Sequence, residues 1–442
     1  MPTDWFHQPK PYPKRYDLIM PIQIKPDNKG HPIAASTQNR QSRPKRIMVV
    51  SPYAHGGGHY PIFARDLTVG FARCGAQVAL LHPRQVAGGF DFLGEKVTTI
   101  CLAELPLTPF PWLTRLLPRL KPIQECLFWL ILNARHDDWD MIYWTDLDPG
   151  NQRRLWPLSL ARLFGLYRFR TSFSEHHPFS WRGPFSRRIH RYLSLDRRRI
   201  GSFDMLVHSQ ELQGQIRRII QNDLAGRYVP WGLWPVPASN ADRARARIDL
   251  GLPSDARVLL VFGWQAVYRK NLDALAEAVA HFKEPANLTL LFVGKHKESE
   301  PHPFSKGAWN VKVQFDPEFV SEQRSRQYFE ACDAVWANYR GFLGASGVLQ
   351  QSMSHGRMTL SQATGEIGEL SRQHDLGLIV PSESATDLKE VLFRFIKMSA
   401  EEQAIYEGNA CRAAEHYTWP TIAGLILDNP EDIAFKPVHS SQ

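Results

Sequence analysis

A chain of 442 residues with 43% apolar and 22% charged side chains has ordinary globular composition and exceeds what one hydrophobic core usually serves, so two domains are expected. Cys74, Cys101, Cys126, Cys332 and Cys411 form no CxxC pair and no even-numbered framework, which argues against a disulfide scaffold or a zinc cage and for reduced thiols in the cytoplasm. The net charge of +9 is uneven: residues 1–240 hold 32 Lys and Arg against 18 Asp and Glu, and residues 241–442 hold 21 against 26.

In chain order, residues 1–45 are rich in Pro, Lys, Gln and Ser without helical or strand periodicity and read as a flexible extension. They lack the apolar stretch of a signal peptide, and the longest apolar run in the chain, Cys126 to Leu132, is far too short to span a membrane. Arg46-Ile-Met-Val-Val is the first predicted strand, Gly56-Gly57-Gly58 a turn, and Ile62 to Arg73 a helix with Phe63, Leu67 and Phe71 on one side. Bare amides of Gly57 and Gly58 between a strand and a helix can approach a phosphate or sugar, and His55 and His59 bracket them. Further strands are expected at Gln77 to Leu81, Asp140 to Trp144 and Arg170 to Ser174, with helical spacers between them: a parallel, doubly wound sheet.

The last of these strands leads into Glu175-His176-His177, candidates for acceptor binding or proton transfer. Adjacent histidines on an extended chain point opposite ways and no third ligand is spaced to join them, so no metal is expected. Residues 151–200 carry twelve arginines and no lysine, which suits anionic headgroups or a pyrophosphate-bearing acceptor, or a solvated helix face.

Val229-Pro-Trp-Gly-Leu-Trp-Pro has the composition of an interdomain connection, and a second β-α series follows it. Strands are expected at Arg257 to Gly263, Thr289 to Gly294, Val311 to Phe315 and Ala334 to Ala337, with a helix from Asn271 to Phe282 and another ending near Ala331. Ligands in such sheets sit at the carboxyl ends of strands. There stand Gly263; Arg269 and Lys270, two cations able to neutralise a leaving diphosphate, with Asn271 as N-cap; and Gly341 to Gly347, a turn whose following helix could offer amides at Ser346, Gly347 and Val348. Thr364 to Glu369 reads as a second glycine-rich turn, with Glu366 and Glu369 free for ribose or sugar hydroxyls or simply solvated.

Over roughly residues 46–425 this order of features resembles the GT-B glycosyltransferases of family 4. Val229-Pro-Trp-Gly232 is similar to the family's IPNG segment, Arg269-Lys270-Asn271 to its phosphate-binding turn, and Gly347 to Gly356 to its GLVLLEAMASG helix; Gly365-Glu-Ile-Gly-Glu369 stands where the family has GGIPE, and Tyr417-Thr-Trp419 where it has FSW. The sequence departs at the family's paired glutamates, which fall on Leu343 and Gln351, and at the arginine after Gly263, which is Trp264. A subgroup with Ser-Gly-Val-Leu at that helix looks similar.

The resemblance implies an α/β fold with two Rossmann-like doubly wound domains facing across a cleft: an acceptor domain over 46–230, a nucleotide-sugar donor domain over 231–425 and a tail over 426–442. It implies sugar transfer with retention, no bound metal and no cofactor beyond the nucleotide-sugar co-substrate. Arg269, Lys270 and His177 are the expected catalytic residues; Gly57, Gly58, Gly263, Ser346, Gly347, Val348, Gln351, Glu366 and Glu369 the donor contacts; and His59, Glu175 and His176 the acceptor contacts. Asp146-Leu-Asp148 has the letters of a metal motif but lies in the first domain, on the acceptor side. Two alternatives remain: an inactive sugar-nucleotide-binding scaffold, consistent with the missing glutamates, and a nucleic-acid binder, opposed by the acidic second half and the lack of an aromatic platform. The basic first half, with Trp112 to Lys121 and Phe128 to Leu132 mixing aromatic, apolar and basic residues, suits an anionic membrane surface at the cytoplasmic face and a lipid-linked or glycan acceptor.

Overall fold

The computed structural model describes residues 44–54, 60–83, 90, 97–102, 122–133, 139–145, 170–175, 203–220, 226–236, 240–296 and 301–428. The chain divides into two compact units, Met1–Arg43 and Pro44–Gln442, and the described residues belong to the second. The expected extension therefore lies outside them except for Pro44 and Lys45.

Two parallel sheets organise the second unit. The first joins β1 (Arg46–Val50), β2 (Gln77–His82), β3 (Val97–Cys101), β4 (Met141–Trp144), β5 (Arg170–Glu175), β6 (Phe203–Val207) and β7 (Arg227–Tyr228) in the order β3-β2-β1-β4-β5-β6-β7. Its described helices are α1 (Tyr60–Arg73), α2 (Pro122–Asn133) and α3 (Gln210–Ile220). The second sheet joins β8 (Arg257–Phe262), β9 (Leu288–Val293), β10 (Lys312–Asp316), β11 (Ala334–Ala337), β12 (Met358–Gln362) and β13 (Gly377–Val380) in the order β10-β9-β8-β11-β12-β13. Around it lie α4 (Asn240–Asp249), α5 (Leu272–Ala280), α6 (Glu322–Ala331), α7 (Gly347–Ser354), α8 (Gly365–His374), α9 (Ala385–Lys397) and α10 (Ala400–His416), whereas the last helix, α11 (Trp419–Leu427), returns to the first sheet. Central strands such as β4 and β9 are buried along their whole length, because helices cover both faces of a parallel sheet.

In both sheets the strand order reverses beside the first strand, between β1 and β4 and between β8 and β11, which opens a crevice at the carboxyl ends. At the first crevice Thr145 Oγ1 donates to Ser51 Oγ at 3.0 Å, both side chains fully buried.

The two expected family segments around the crossing meet in space. Leu233 N donates to Tyr417 O at 2.9 Å and Trp419 N to Leu233 O at 3.1 Å, while α11 packs on α1. Phe63, Trp231 and Trp419 form one aromatic cluster with centroids 4.4–6.4 Å apart. Position 232 must be glycine, since a Cβ there would stand 2.3 Å from the Trp419 ring.

Two local expectations are corrected. Asn271 occupies the N-cap position of α5 but is left-handed (φ 54°) and its side chain caps nothing; Asn271 Nδ2 instead donates to Glu383 O at 3.3 Å. Residues 365–369 are the first turns of α8 and not a solvated loop: Gly365 and Gly368 are there because a Cβ would strike Leu343 at 2.6 Å and Ala363 at 2.2 Å.

Candidate functional site

The candidate site lies where β8 and β11 deliver their carboxyl ends. Gly263 follows β8 with φ +88°, a conformation that favours glycine, and nothing stands within 4 Å of where its Cβ would be. Gln265 locks the turn: its buried Nε2 donates to Val261 O, Gly263 O and Val293 O at 2.9–3.0 Å. Trp264, between them, is 47% exposed.

The following turn interleaves with the loop after β11. Arg340 N donates to Arg269 O at 2.8 Å. Each cation near this bond sits over a ring of the opposite loop: Arg340 over Tyr268 at 5.1 Å, Arg269 over Phe342 at 5.9 Å and Lys270 Nζ over Tyr339 at 5.0 Å. Arg269 is exposed. Lys270, expected with it to neutralise a leaving diphosphate, is only 2% exposed and its ammonium donates to Phe262 O at 2.6 Å. Burial, and then Arg269 beside it, lower its pKa to about 7. Arg340, which sequence reasoning did not single out, is held by Asp273 at 2.8 Å and Glu383 at 3.7 Å.

The loop after β11 leads into α7. Ser346 is its N-cap, accepting from Leu349 N at 3.4 Å, and leaves the amides of Gly347 and Val348 as the open donors of the first turn. Gly347 is exposed, with open space where a Cβ would be. Gln362, at the end of β12, shapes this loop by accepting from Tyr339 N at 2.8 Å and donating to Phe342 O and Thr364 O. Leu343, at the first position of the family's glutamate pair, packs against the apolar cluster of the first sheet that contains Val50, Trp144 and Val207. Gln351, at the second, is half-buried and makes no side-chain hydrogen bond among the described residues.

Glu366 and Glu369, expected to be free for the donor, are engaged within the protein. Glu366 is fully buried and accepts from Trp231 N at 3.3 Å, Ser346 N at 3.1 Å and Gln350 Nε2 at 3.4 Å, tying the segment after β7 to the cap of α7. Burial pushes its carboxyl up to about 8 against the pull of these donors. Glu369 accepts from Gln210 N and Glu211 N, each at 2.8 Å. Burial pushes it up too, and the two amides and Arg372 oppose the rise. Neither partner could be found from spacing, since Trp231 and Gln210 are 135 and 159 residues away in sequence.

Glu175 ends β5, its backbone paired with Val207. Gly57, Gly58, His59, His176 and His177 lie outside the described residues, as do Asp146, Asp148 and the arginines between 176 and 200. Among the described residues no group of three or more His, Cys, Asp and Glu side chains could hold a metal ion, and no helix is long and apolar enough to cross a membrane.

Residues 256–397 match the family model described as glycosyl transferases group 1. No curated protein matches. Among solved structures, the chain is similar to sucrose-phosphate synthase from Thermosynechococcus elongatus (18% identity, TM-score 0.62, covering 86% of this chain and 97% of that one). It is similar to Anabaena HepE in complex with UDP and glucose (17%, TM-score 0.61, 86% and 98%) and to WaaG, a glycosyltransferase involved in lipopolysaccharide biosynthesis (16%, TM-score 0.55, 87% and 100%). These structures are GT-B glycosyltransferases built from two Rossmann-like domains. The chain thus has the GT-B fold, and its residues 256–397 match the glycosyl transferases group 1.

Proposed function

We propose that the protein moves a sugar from a nucleotide-sugar to an acceptor, with retained anomeric configuration and without a metal. The observation that carries this reading is the open N-terminus of α7 at Gly347 and Val348, beside the crevice that Gly263 leaves bare and with Arg269 seated on the loop that leads to it. As the bond between the anomeric carbon and the β-phosphate oxygen breaks, negative charge collects on the diphosphate. Helix N-terminal amides and a fixed guanidinium stabilise that charge where it develops. Lys270 supports the site from behind, fixing Phe262 O and the Tyr339 ring.

Gln351 serves the nucleoside hydroxyls in place of a glutamate, and Gly57 and Gly58 are assigned to the donor. His59, Glu175, His176 and His177 are assigned to the acceptor, whose hydroxyl attacks the anomeric carbon while its proton leaves with the departing diphosphate. The acceptor is a glycan or lipid-linked saccharide at the cytoplasmic face of a membrane, met by the arginine-rich segment of the first half. The uridine diphosphate in HepE and the UDP-2-fluoro glucose in an Escherichia coli trehalose-6-phosphate structure make UDP-sugars the first donors to try.

A thermal-shift panel of UDP, GDP, ADP and their sugar conjugates tests the donor site. A ligand present at 100 times its Kd stabilises the native state by about 2.7 kcal/mol. A selective rise with one base supports the reading; no rise with any nucleotide overturns it. Selective binding without turnover on any acceptor would favour the scaffold alternative.

A further inference from the structure

The first turns of α3 and α8 belong to different sheets, yet each is capped by a carboxylate from the other. Glu369, in α8, accepts both Gln210 N and Glu211 N at the start of α3, each at 2.8 Å. Glu211, in α3, accepts Gly365 N at the start of α8 at 2.9 Å. The next amide of α3, Leu212 N, goes to its own cap Ser209 at 2.9 Å. Thr364, in the corresponding position before α8, makes no side-chain cap. The N-terminus of α8 is therefore completed by a residue of the other sheet's helix.

Two glutamates side by side would ordinarily repel, but each stands on the positive end of a helix and takes charge-assisted bonds from its amides. The arrangement holds only while the two helix ends stay together. It also touches the donor side, because Glu366 in the same first turn of α8 bonds Trp231 N of the crossing segment and Ser346 N at the cap of α7.

We propose that Glu211 and Glu369 are positioning residues: a reciprocal clasp that joins the two walls of the cleft and sets its width, with Glu369 holding α3 instead of the donor. The kinetic consequence rests on the glycosyltransferase reading; the structural one does not. With the clasp intact the closed arrangement is populated before the donor arrives. Without it, closure must be driven by binding, which raises the apparent KM in proportion to the lost closed population.

The test uses the full chain without nucleotide. Donor and acceptor dyes on exposed positions of α1 and α9 report the separation of the walls, and amide exchange at Gln210, Glu211 and Gly365 reports the clasp itself. Glu369→Ala and Glu211→Ala are each expected to lengthen the dye separation and speed exchange at all three amides, and the double variant to do no more than either alone. Glu369→Gln, which keeps one acceptor oxygen, is expected to fall between Glu369→Ala and wild type and serves if the alanine variant does not fold. An unchanged separation in a folded Glu369→Ala or Glu369→Gln protein overturns the proposal, as does a double variant whose effect is the sum of the singles. With a UDP-sugar, KM is expected to rise about tenfold, the cost of roughly one charge-assisted bond, with kcat little changed. Wider walls with no nucleotide binding in any variant or in wild type leave the clasp standing and remove the function; nucleotide binding to wild type with unmoved walls in the variants does the reverse.

Discussion

Lys270 is only 2% exposed and spends one of its three N–H groups on Phe262 O, so little of its ammonium faces the cleft. On the proposed reading, the leaving-group charge then falls mainly to exposed Arg269 and the amides of α7. Arg269→Ala is therefore expected to lower kcat/KM by about 100-fold with little change in Tm. Steady-state transfer rates check this, and a loss within about threefold would remove Arg269 from the reaction. Lys270 carries a different expectation. Its pKa of about 7 lies below the ordinary 10.5, so between those values the unfolded chain holds a proton that the folded one has shed, and stability rises with pH through that window. Lys270→Met lacks this titration. Its Tm relative to wild type should be highest near neutral pH and should fall as the pH is raised toward about 10; parallel melting curves across that range would contradict a buried, strained cation.

At the scale of elements, the seam between α1, the crossing segment and α11 is set by one glycine and one tryptophan. Gly232→Ala places a methyl 2.3 Å from a ring atom of Trp419. Overpacking of that kind costs about 1–3 kcal/mol, to be read as a lower urea midpoint at unchanged slope; an unchanged midpoint would mean that the Trp419 ring can swing aside. Leu343→Glu restores the residue expected from the family resemblance but inserts a charge into the apolar cluster with Val50 and Trp144. Its expected outcome is a lower Tm with no gain in transfer rate. These elements also explain what could be read in advance. Apolar runs at β1, β8 and β9 announce themselves because both faces are covered. α8 was hidden, because Gly365 and Gly368 look like turn residues until the close approach of Leu343 and Ala363 is known. The helix start after the turn of Gly341 to Gly347 was legible to within a residue, and the cap on Ser346 was not read in advance. The engagements of Glu366 and Glu369 were not, because a carboxylate's partner across a fold leaves no mark on spacing.

For the molecule as a whole, four histidines lowered by burial shape the acid limit: buried His208, His302 and His355 and half-buried His374. His208, with Nδ1 2.8 Å from Val229 O, is lowered to about 4 by burial; His302 is lowered to about 4 by burial and then His296; His374, with Nε2 2.7 Å from Tyr417 Oη, to about 4 by burial and then His416. Each has an ordinary value of 6.5, so between about 6.5 and 4 the unfolded chain binds protons that the folded one refuses, and stability falls as the pH drops. Glu366 has the opposite sign. Raised from 4.5 to about 8, it holds a proton in the folded chain that the unfolded one releases, so its contribution falls as the pH rises through that range. Glu369 and Asp66, also raised by burial, share the sign of Glu366, so the histidine contribution is read as the difference between variant and wild type and not from the wild-type limb alone. His208 lies at the end of β6 and His302 in the loop between β9 and β10, too far apart in the fold to share partners, so their contributions should add. His208→Gln, whose amide can still donate to Val229 O, is expected to flatten the acid limb by one proton, and His208→Gln with His302→Gln by two. Melting curves at pH 7, 6 and 5 distinguish this from an acid limb governed by carboxylates, in which case neither substitution would change the slope.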